Sequence, residues 1–145
     1  MTTSGKMTDE FNLQRFVEAQ RPVYDRVLRE LRVGRKESHW MWFIFPQIAG
    51  LGRTPTSVFY AIASLDEARA YLAHPVLGPR LKECAKLVLD VEGSTARDIF
   101  GEIDEMKFRS SMTLFMKAAP DESVFAQCLA RYFDGQPDQP TLARL

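Results

Sequence analysis

The sequence has few of the residues that mark a metal-binding, disulfide-linked or membrane-spanning protein. Only two cysteines, Cys84 and Cys128, and two histidines occur in 145 residues. So small and scattered a set argues against a disulfide framework and a structural zinc site, and we expect no metal. The apolar run Trp40–Phe45 is far shorter than the ~20 residues that cross a bilayer, and no secretory signal is recognisable. We therefore predict a reducing, cytoplasmic location and no membrane partner.

The chain also lacks an excess of charge of either sign. Its 19 lysines and arginines balance its 19 aspartates and glutamates, so the formal net charge is zero. Broad binding to nucleic acid or to an anionic membrane depends on an excess of basic charge. The balance therefore disfavours a nucleic-acid partner but leaves room for a local basic pocket. Hydrophobic residues at 46 % and charged residues at 26 % are typical of a globular protein with a sizeable core.

No segment has a convincing β-strand alternation, whereas apolar residues recur at helical spacing along most of the chain. The second predicted helix, for example, has the spacing i, i+3, i+4 and i+7 in Tyr24, Val27, Leu28 and Leu31. A glycine, Gly34, is placed to end this helix. We predict a disordered tail over residues 1–8 and a single all-α domain over residues 9–145. This domain should be a compact array of about seven or eight short helices.

Polar residues that cap helices mark several of the predicted helix starts. Ser64 and Glu67 have the spacing of a capping box. Ser94 is predicted to cap a later turn of helix. Ser38 is predicted to cap a short helix within Trp40–Phe45, although a buried strand is an alternative for so short an apolar run.

The segment RKESHWMWFIFPQ, residues 35–47, combines a basic pair with both tryptophans of the chain. Aromatic faces can stack on a base or a similar ring, and basic side chains can bind phosphate. A helix that starts near residue 38 would add free N–H groups for an anion. The competing interpretation is a core segment flanked by solvated basic residues, which is the commoner role of aromatics. The candidate ligand-binding residues of this segment are Arg35, Lys36, Ser38, His39, Trp40, Trp42 and Gln47.

The segment DEMKFRSSMTLF, residues 104–115, supplies the candidate catalytic residues. Asp104, Lys107 and Ser111 lie at i, i+3 and i+7 and therefore share one stripe of the helix that we predict to start at Asp104. Asp104 and Lys107 could simply form a surface ion pair. If the stripe lies in a site, Asp104 could orient a substrate or act as a general base, with Lys107 as an electrostatic stabiliser.

The loop IAGLGRTPTS joins the aromatic segment to the next helix. Gly50 and Gly52 would let the backbone approach a ligand closely, and Arg53 could clamp a phosphate. The loop matches neither a GxGxxG nor a P-loop pattern, and two glycines usually indicate a turn. Arg53 therefore joins the candidate ligand-binding residues only if this loop meets the other two segments in space.

Three segments in order resemble one known family. They are GRKESHWMWFIFPQIAGLGRT, YAIASLDEARAYLAHPVLGPRL and IFGEIDEMKFRSSMTLF. Over about residues 9–145 the chain is similar to domain-of-unknown-function family 1810, which occurs mostly in bacteria and also in fungi. The resemblance implies a compact all-α fold and brings no activity, cofactor or catalytic set. Some members carry a calpastatin-like label, but calpastatin-type inhibitors are disordered, whereas this composition is that of a packed globule.

Two functional hypotheses follow, from different classes. In the first, the protein binds a small molecule, a phosphorylated or nucleotide-derived metabolite, and in the sharper form it is a hydrolase or transferase. This requires the three segments to line one concave pocket. In the alternative, the protein is an interaction module whose aromatic and Met-rich surface meets a partner protein or a second copy of the chain. That would expose Trp40, Trp42 or Phe45 in a patch. Whether the protein is an enzyme, and which cofactor it uses, stays open.

Overall fold

Residues 9–145, which the computed structural model describes, fold mostly into α-helices. The predicted disordered tail, residues 1–8, lies outside the described residues. The helices are α1 (Gln14–Gln20), α2 (Tyr24–Val33), α3 (Met41–Ile44), α4 (Pro55–Phe59), α5 (Leu65–Ala73), α6 (Leu77–Asp90), α7 (Ala96–Phe100), α8 (Glu102–Ala118), α9 (Ser123–Phe133) and α10 (Gln139–Leu142). The all-α prediction is confirmed. The described part has ten helices rather than seven or eight because four of them are single turns of four or five residues.

The longest helix, α8, runs through the hydrophobic core, and α5, α7, α9 and α10 pack around it. Its central residues, from Phe108 to Phe115, are almost all buried, so this helix has no continuous solvent face there. The Phe108 ring lies 5.0 Å from the ring of Phe45 and 4.7 Å from that of Phe100, between centroids. These contacts fasten the aromatic segment after α2 to α7 and to the middle of α8.

An arginine on α1 joins two parts of the chain that are distant in sequence. The Arg15 guanidinium lies 2.9 Å from the Glu67 carboxylate on α5, and it donates to the carbonyls of Phe59 and Ala61 at 2.9 Å each. Ser64 accepts the Glu67 N–H at 3.2 Å and caps α5 as predicted. The Glu67 carboxylate does not complete a capping box, because Arg15 and a preceding backbone N–H occupy it.

Two local predictions are corrected or decided by the structure. Thr95, and not Ser94, caps α7, in a capping box with Asp98. Of the two residues, only Thr95 has an acidic residue three positions later. The Thr95 hydroxyl accepts the Asp98 N–H, and the Asp98 carboxylate accepts the Thr95 N–H. The run Trp40–Phe45 is helical over α3, and the strand alternative is wrong.

The proline-spaced C-terminal residues pack on α8 through a buried carboxylate. Asp138 accepts hydrogen bonds from the hydroxyls of Ser110 at 3.0 Å and Thr141 at 2.6 Å. Its own N–H donates to the Thr113 hydroxyl at 2.9 Å. Asp138 also caps α10, so the end of the chain is ordered by hydroxyl groups of the central helix.

Candidate functional site

The segment between α2 and α3 is held in place by one carboxylate, that of Glu30 on α2. Its Oε1 accepts the N–H groups of Glu37 at 2.8 Å and Ser38 at 3.1 Å, and the indole N–H of Trp40 at 2.8 Å. Its Oε2 accepts the Ser38 hydroxyl at 2.6 Å. The predicted cap role of Ser38 is therefore wrong: its hydroxyl is bound to Glu30, and α3 begins without a side-chain cap.

These hydrogen bonds change the acidity of Glu30. Partial burial alone would raise the pKa of this carboxyl, but the bonds donated by Ser38, Glu37 and Trp40 outweigh burial and lower the pKa to about 2, from an ordinary value of 4.5. Since the folded pKa lies below the unfolded one, the charge stabilises the fold above pH 4.5, and this contribution is lost as pH falls toward 2.

We expect Glu30→Gln to lower the free energy of unfolding by about 2 kcal/mol at pH 7, because charge-assisted hydrogen bonds are lost. The difference from the wild type should shrink as the pH falls from 5 to about 3. Urea denaturation across this pH range measures both. Glu92→Gln, at an exposed position, is the control and should cost less than about 0.5 kcal/mol. A difference that does not change with pH would contradict the role of the charge.

Asp104, in the first turn of α8, lies between two lysine ammonium groups. Its Oδ2 is 2.8 Å from Lys36 Nζ, and its Oδ1 is 3.4 Å from Lys107 Nζ. The Lys36 and Asp104 side chains are only 9 % and 17 % exposed. The backbone N–H of Lys36 also donates to the Ile99 carbonyl at 2.7 Å, which holds this residue beside α7. Two ammonium groups face this one carboxylate, and Glu102 and Glu105 add two further carboxylates in the first turn of α8.

Each lysine of this cluster lies against a tryptophan ring. Lys36 Nζ is 5.2 Å from the centroid of the Trp40 ring, and Lys107 Nζ is 5.1 Å from that of Trp42. Both distances are in the range of a cation–π contact. The two tryptophans differ in exposure: Trp40 is 1 % exposed and belongs to the core, whereas Trp42 is half-buried and reaches the surface. Phe45 is also buried. Of the three aromatic residues that the interaction-module hypothesis would expose, only Trp42 therefore reaches the surface.

A cleft of about 480 Å³ opens beside the cluster. One wall carries Lys36, His39 and Trp42, and the other is formed by residues 100–104, which include the carboxylates of Glu102 and Asp104. Lys107 is not among the residues that line the cleft. The N-cap of α8 is Gly101, with φ of 88°, and supplies no side-chain acceptor, so the first N–H groups of α8 have no side-chain cap. Free N–H groups at a helix start attract an anion, but here the carboxylates of Glu102, Asp104 and Glu105 in the first turn already complement them.

Four predicted ligand-binding residues of the aromatic segment, Arg35, Ser38, Trp40 and Gln47, lie outside this cleft. Arg35 and Ser38 line a separate hollow of about 440 Å³ beside α2. Trp40 is buried behind the cleft, with its N–H bound to Glu30. A role for these residues in ligand binding stays a prediction.

The glycine loop reaches the same region only in part. Gln47 and Gly52 line a narrow pocket of about 10 Å³ that also includes Trp42. Arg53 is exposed and lines none of these hollows within residues 9–145. The aromatic segment and the start of α8 therefore meet in one cleft. The glycine loop lines only the narrow pocket, which shares Trp42 with this cleft.

Ser111, the third candidate catalytic residue, lies deeper along α8. Within residues 9–145 its hydroxyl is the only buried side-chain nitrogen or oxygen without a hydrogen-bond partner. It is not among the residues that line the cleft. The catalytic roles of Asp104, Lys107 and Ser111 stay predictions.

Comparison with known proteins identifies the family. A family model described as "Protein of unknown function (DUF1810)" matches residues 10–145. The chain belongs to the DUF1810 family. The resemblance inferred from the three sequence segments is thereby confirmed.

A solved structure shares the fold of this DUF1810 protein. The crystal structure of the conserved hypothetical protein Rv1873 from Mycobacterium tuberculosis is 53 % identical, with a TM-score of 0.94. The match covers 94 % of this chain and 98 % of that one. No curated protein matches the chain significantly. Neither description names an activity, so the function of the DUF1810 site must be argued from its geometry.

Glu30 is the residue of the DUF1810 site that the sequence interpretation missed. It organises the segment through four hydrogen bonds, yet it stands on a helix rich in charged residues, where a glutamate is unremarkable. Its partners Ser38 and Trp40 reach it only because the chain turns back after Gly34. No spacing within one helix would have indicated this contact.

The structure offers neither a metal-binding cluster nor an accessible cysteine thiol within the described residues of the DUF1810 chain. Among residues 9–145 no group of three or more His, Cys, Asp or Glu side chains could hold a metal ion. Cys84 and Cys128 are unpaired and buried, and burial raises the pKa of each thiol to about 12. Neither thiol is a nucleophile at neutral pH. No helix in the described range is both long and apolar enough to cross a bilayer.

Proposed function

We propose that this protein binds a small anionic metabolite with a flat ring, a phosphorylated or nucleotide-derived compound, in the cleft beside Lys36 and Trp42. One observation carries the proposal. The Lys36–Asp104–Lys107 cluster places two ammonium groups beside two tryptophan rings, next to a cleft of about 480 Å³ that Lys36 and Trp42 line. That volume is within the usual range of small-molecule sites.

The two lysines differ in how they can serve an anion. Lys36 is closely paired with Asp104, at 2.8 Å, and this pair is nearly closed to solvent. Lys107 has the longer contact, 3.4 Å, and a more exposed side chain, at 23 %. Lys107 does not line the cleft itself, so in this proposal it turns toward a phosphate from its place beside the Trp42 ring, while Lys36 lines the wall.

The enzymatic form of the proposal, a hydrolase or transferase, assigns Asp104 an orienting role. Both oxygens of this carboxylate face lysine ammonium groups. Such a contact fixes the lysines more readily than it leaves an oxygen for proton transfer. Lys107 would then stabilise charge that develops on a transferred group.

Tryptophan fluorescence gives a direct test, since the chain has only two tryptophans and Trp42 alone reaches the surface. We expect ADP and inorganic pyrophosphate to quench the emission and to raise the midpoint of thermal unfolding. Lys107→Met should weaken binding of both about tenfold or more, because a charge-assisted contact is lost. The matched control is Lys86→Met, which removes an exposed lysine paired with Asp90 at 2.9 Å on α6. This control should bind both compounds as the wild type does.

The proposal fails if no nucleotide, sugar phosphate or pyrophosphate binds the folded wild type in the millimolar range. Equal weakening by Lys86→Met and Lys107→Met would also count against it, since only a general effect of charge would then remain.

A second candidate function is an interaction surface for another protein or a second copy of the chain. Exposed apolar side chains flank Trp42 on both sides, with Ile103 at 76 % exposure beside the cleft and Phe59 at 54 % beyond it. Sedimentation velocity over a range of concentrations tests self-association. A dimer that Ile103→Glu dissociates would favour this function, whereas a monomer at all concentrations would exclude self-association through this surface.

A further inference from the structure

A second hollow, of about 560 Å³, adjoins the candidate cleft. Its lining residues are Trp42, Phe43, Pro55, Thr56, Phe59 and Tyr60. None of these side chains carries a charge, and four of them are aromatic. Trp42 is shared with the cleft that holds Lys36 and Asp104. One indole therefore adjoins an aromatic hollow and a charged cleft.

The aromatic rings of this hollow are held at defined angles. Phe43 and Phe59 both pack on Tyr60, with centroids 5.4 Å and 4.8 Å away and interplanar angles of 54° and 83°. The Phe59 ring is nevertheless 54 % exposed, so much of its surface remains open for contact. Arg15 donates to the carbonyl of Phe59 at 2.9 Å and fixes the backbone that carries this ring. A platform that is rigid before binding loses less entropy when a ligand binds.

Polar groups lie next to the aromatic hollow. A narrow pocket of about 10 Å³ is shared by Trp42 and Tyr60 with the polar side chains of Gln47 and Ser57. Gly52 also lines it, and a Cβ there would lie 2.5 Å from Ser57 Cβ, so this close approach requires glycine. Hydrogen-bonding groups beside stacked rings suit a heterocycle, which has polar edges around an apolar face.

We propose that Trp42 divides one elongated site into two subsites, with an anionic group held at Lys107 and Lys36 and a flat heterocycle held in the hollow of Phe43, Phe59 and Tyr60. The chemical class that joins these two parts is a nucleoside phosphate. Sugar phosphates lack the flat ring, and nucleosides lack the anion. This inference rests on the proposed function and adds to it the orientation and class of the ligand.

Crossed variants and three probes test the inference by isothermal titration calorimetry. Phe59→Ala should weaken ADP about tenfold, because stacking on an aromatic side chain is lost, and should leave inorganic pyrophosphate unchanged. Lys107→Met should weaken ADP and pyrophosphate and leave adenosine unchanged. Val58→Ala, at a neighbouring exposed position on the same helix α4, is the matched control and should leave all three probes unchanged. Unaltered thermal unfolding of Phe59→Ala is expected, since this ring is largely outside the core.

The outcomes separate the two proposals. If Lys107→Met weakens ADP and pyrophosphate while Phe59→Ala and Phe59→Leu bind ADP as the wild type does, the ring subsite is overturned and the proposed function stands. If pyrophosphate binds as tightly as ADP, the ring adds nothing and the inference is again overturned. If neither ADP nor pyrophosphate binds, both proposals fall.

Discussion

Arg15→Met should lower the free energy of unfolding by about 3–5 kcal/mol, which is the cost of removing one partner of a buried ion pair. Arg15 lies 2.9 Å from Glu67, and their side chains are 9 % and 4 % exposed. Without the guanidinium, the Glu67 carboxylate would stay buried with its charge uncompensated. The carbonyls of Phe59 and Ala61 would also lose a donor. Urea denaturation followed by circular dichroism measures the effect.

Two further variants show whether the buried charge is the cause. Arg69→Met removes an exposed arginine that lies 3.6 Å from Asp66, and it should cost less than about 1 kcal/mol. The double variant Arg15→Met/Glu67→Gln should recover part of the loss, because no unpaired charge is left buried. Similar costs for Arg15→Met and Arg69→Met would refute the argument. Because Arg15 also anchors the backbone of Phe59, its loss should loosen the aromatic hollow.

Gly78→Ala should lower the free energy of unfolding by about 3 kcal/mol, at the upper end of the usual cost of overpacking. Gly78 lies in the first turn of α6 and is buried. A Cβ there would lie 2.9 Å from the carbonyl carbon of Leu72 and closer still to the carbonyl oxygen. These are backbone atoms of α5, so the clash can be relieved only by moving α5 and α6 apart. Thermal unfolding of the variant measures the loss.

Gly93→Ala is the control for Gly78→Ala. Gly93 has φ of 74° and no atom near the position of an added Cβ. Its substitution should cost about 1–2 kcal/mol from the left-handed backbone conformation alone. If Gly78→Ala costs no more than Gly93→Ala, the close packing of α5 on α6 is not what requires glycine.

A chain with zero formal net charge nevertheless places two lysines on one carboxylate. Asp104 is shared by Lys36 and Lys107, and Glu102 adds a second carboxylate to the same wall of the cleft. Glu30 is occupied by four hydrogen-bond donors, and Glu105 lies 2.7 Å from Arg97. Overall charge disfavours broad electrostatic binding, but it says nothing about how charges are paired within a site.

Most helices could be predicted from the sequence because their signals act over a few residues. Gly34 ends α2 with φ of 83°, and Ser64 caps α5, both as expected. The predictions were wrong where a neighbouring residue offered a better local bond, as Thr95 did over Ser94. The predictions were also incomplete where a segment is held by residues distant in sequence. Asp138, near the C-terminus, is held by hydrogen bonds to the hydroxyls of Ser110 and Thr113 on α8.

The sequence by itself determined the family and the all-α class. It also placed Asp104 and Lys107 on one stripe of a helix, because helical periodicity is a local property. Only the tertiary structure decided that Lys36 meets Asp104, that Trp40 is core while Trp42 is surface, and that Arg53 stays apart. These outcomes depend on how the aromatic segment packs against Phe100 and Phe108 and on the Glu30 carboxylate that turns it. Contacts between distant segments are set by the packing of the whole core, which no local pattern contains.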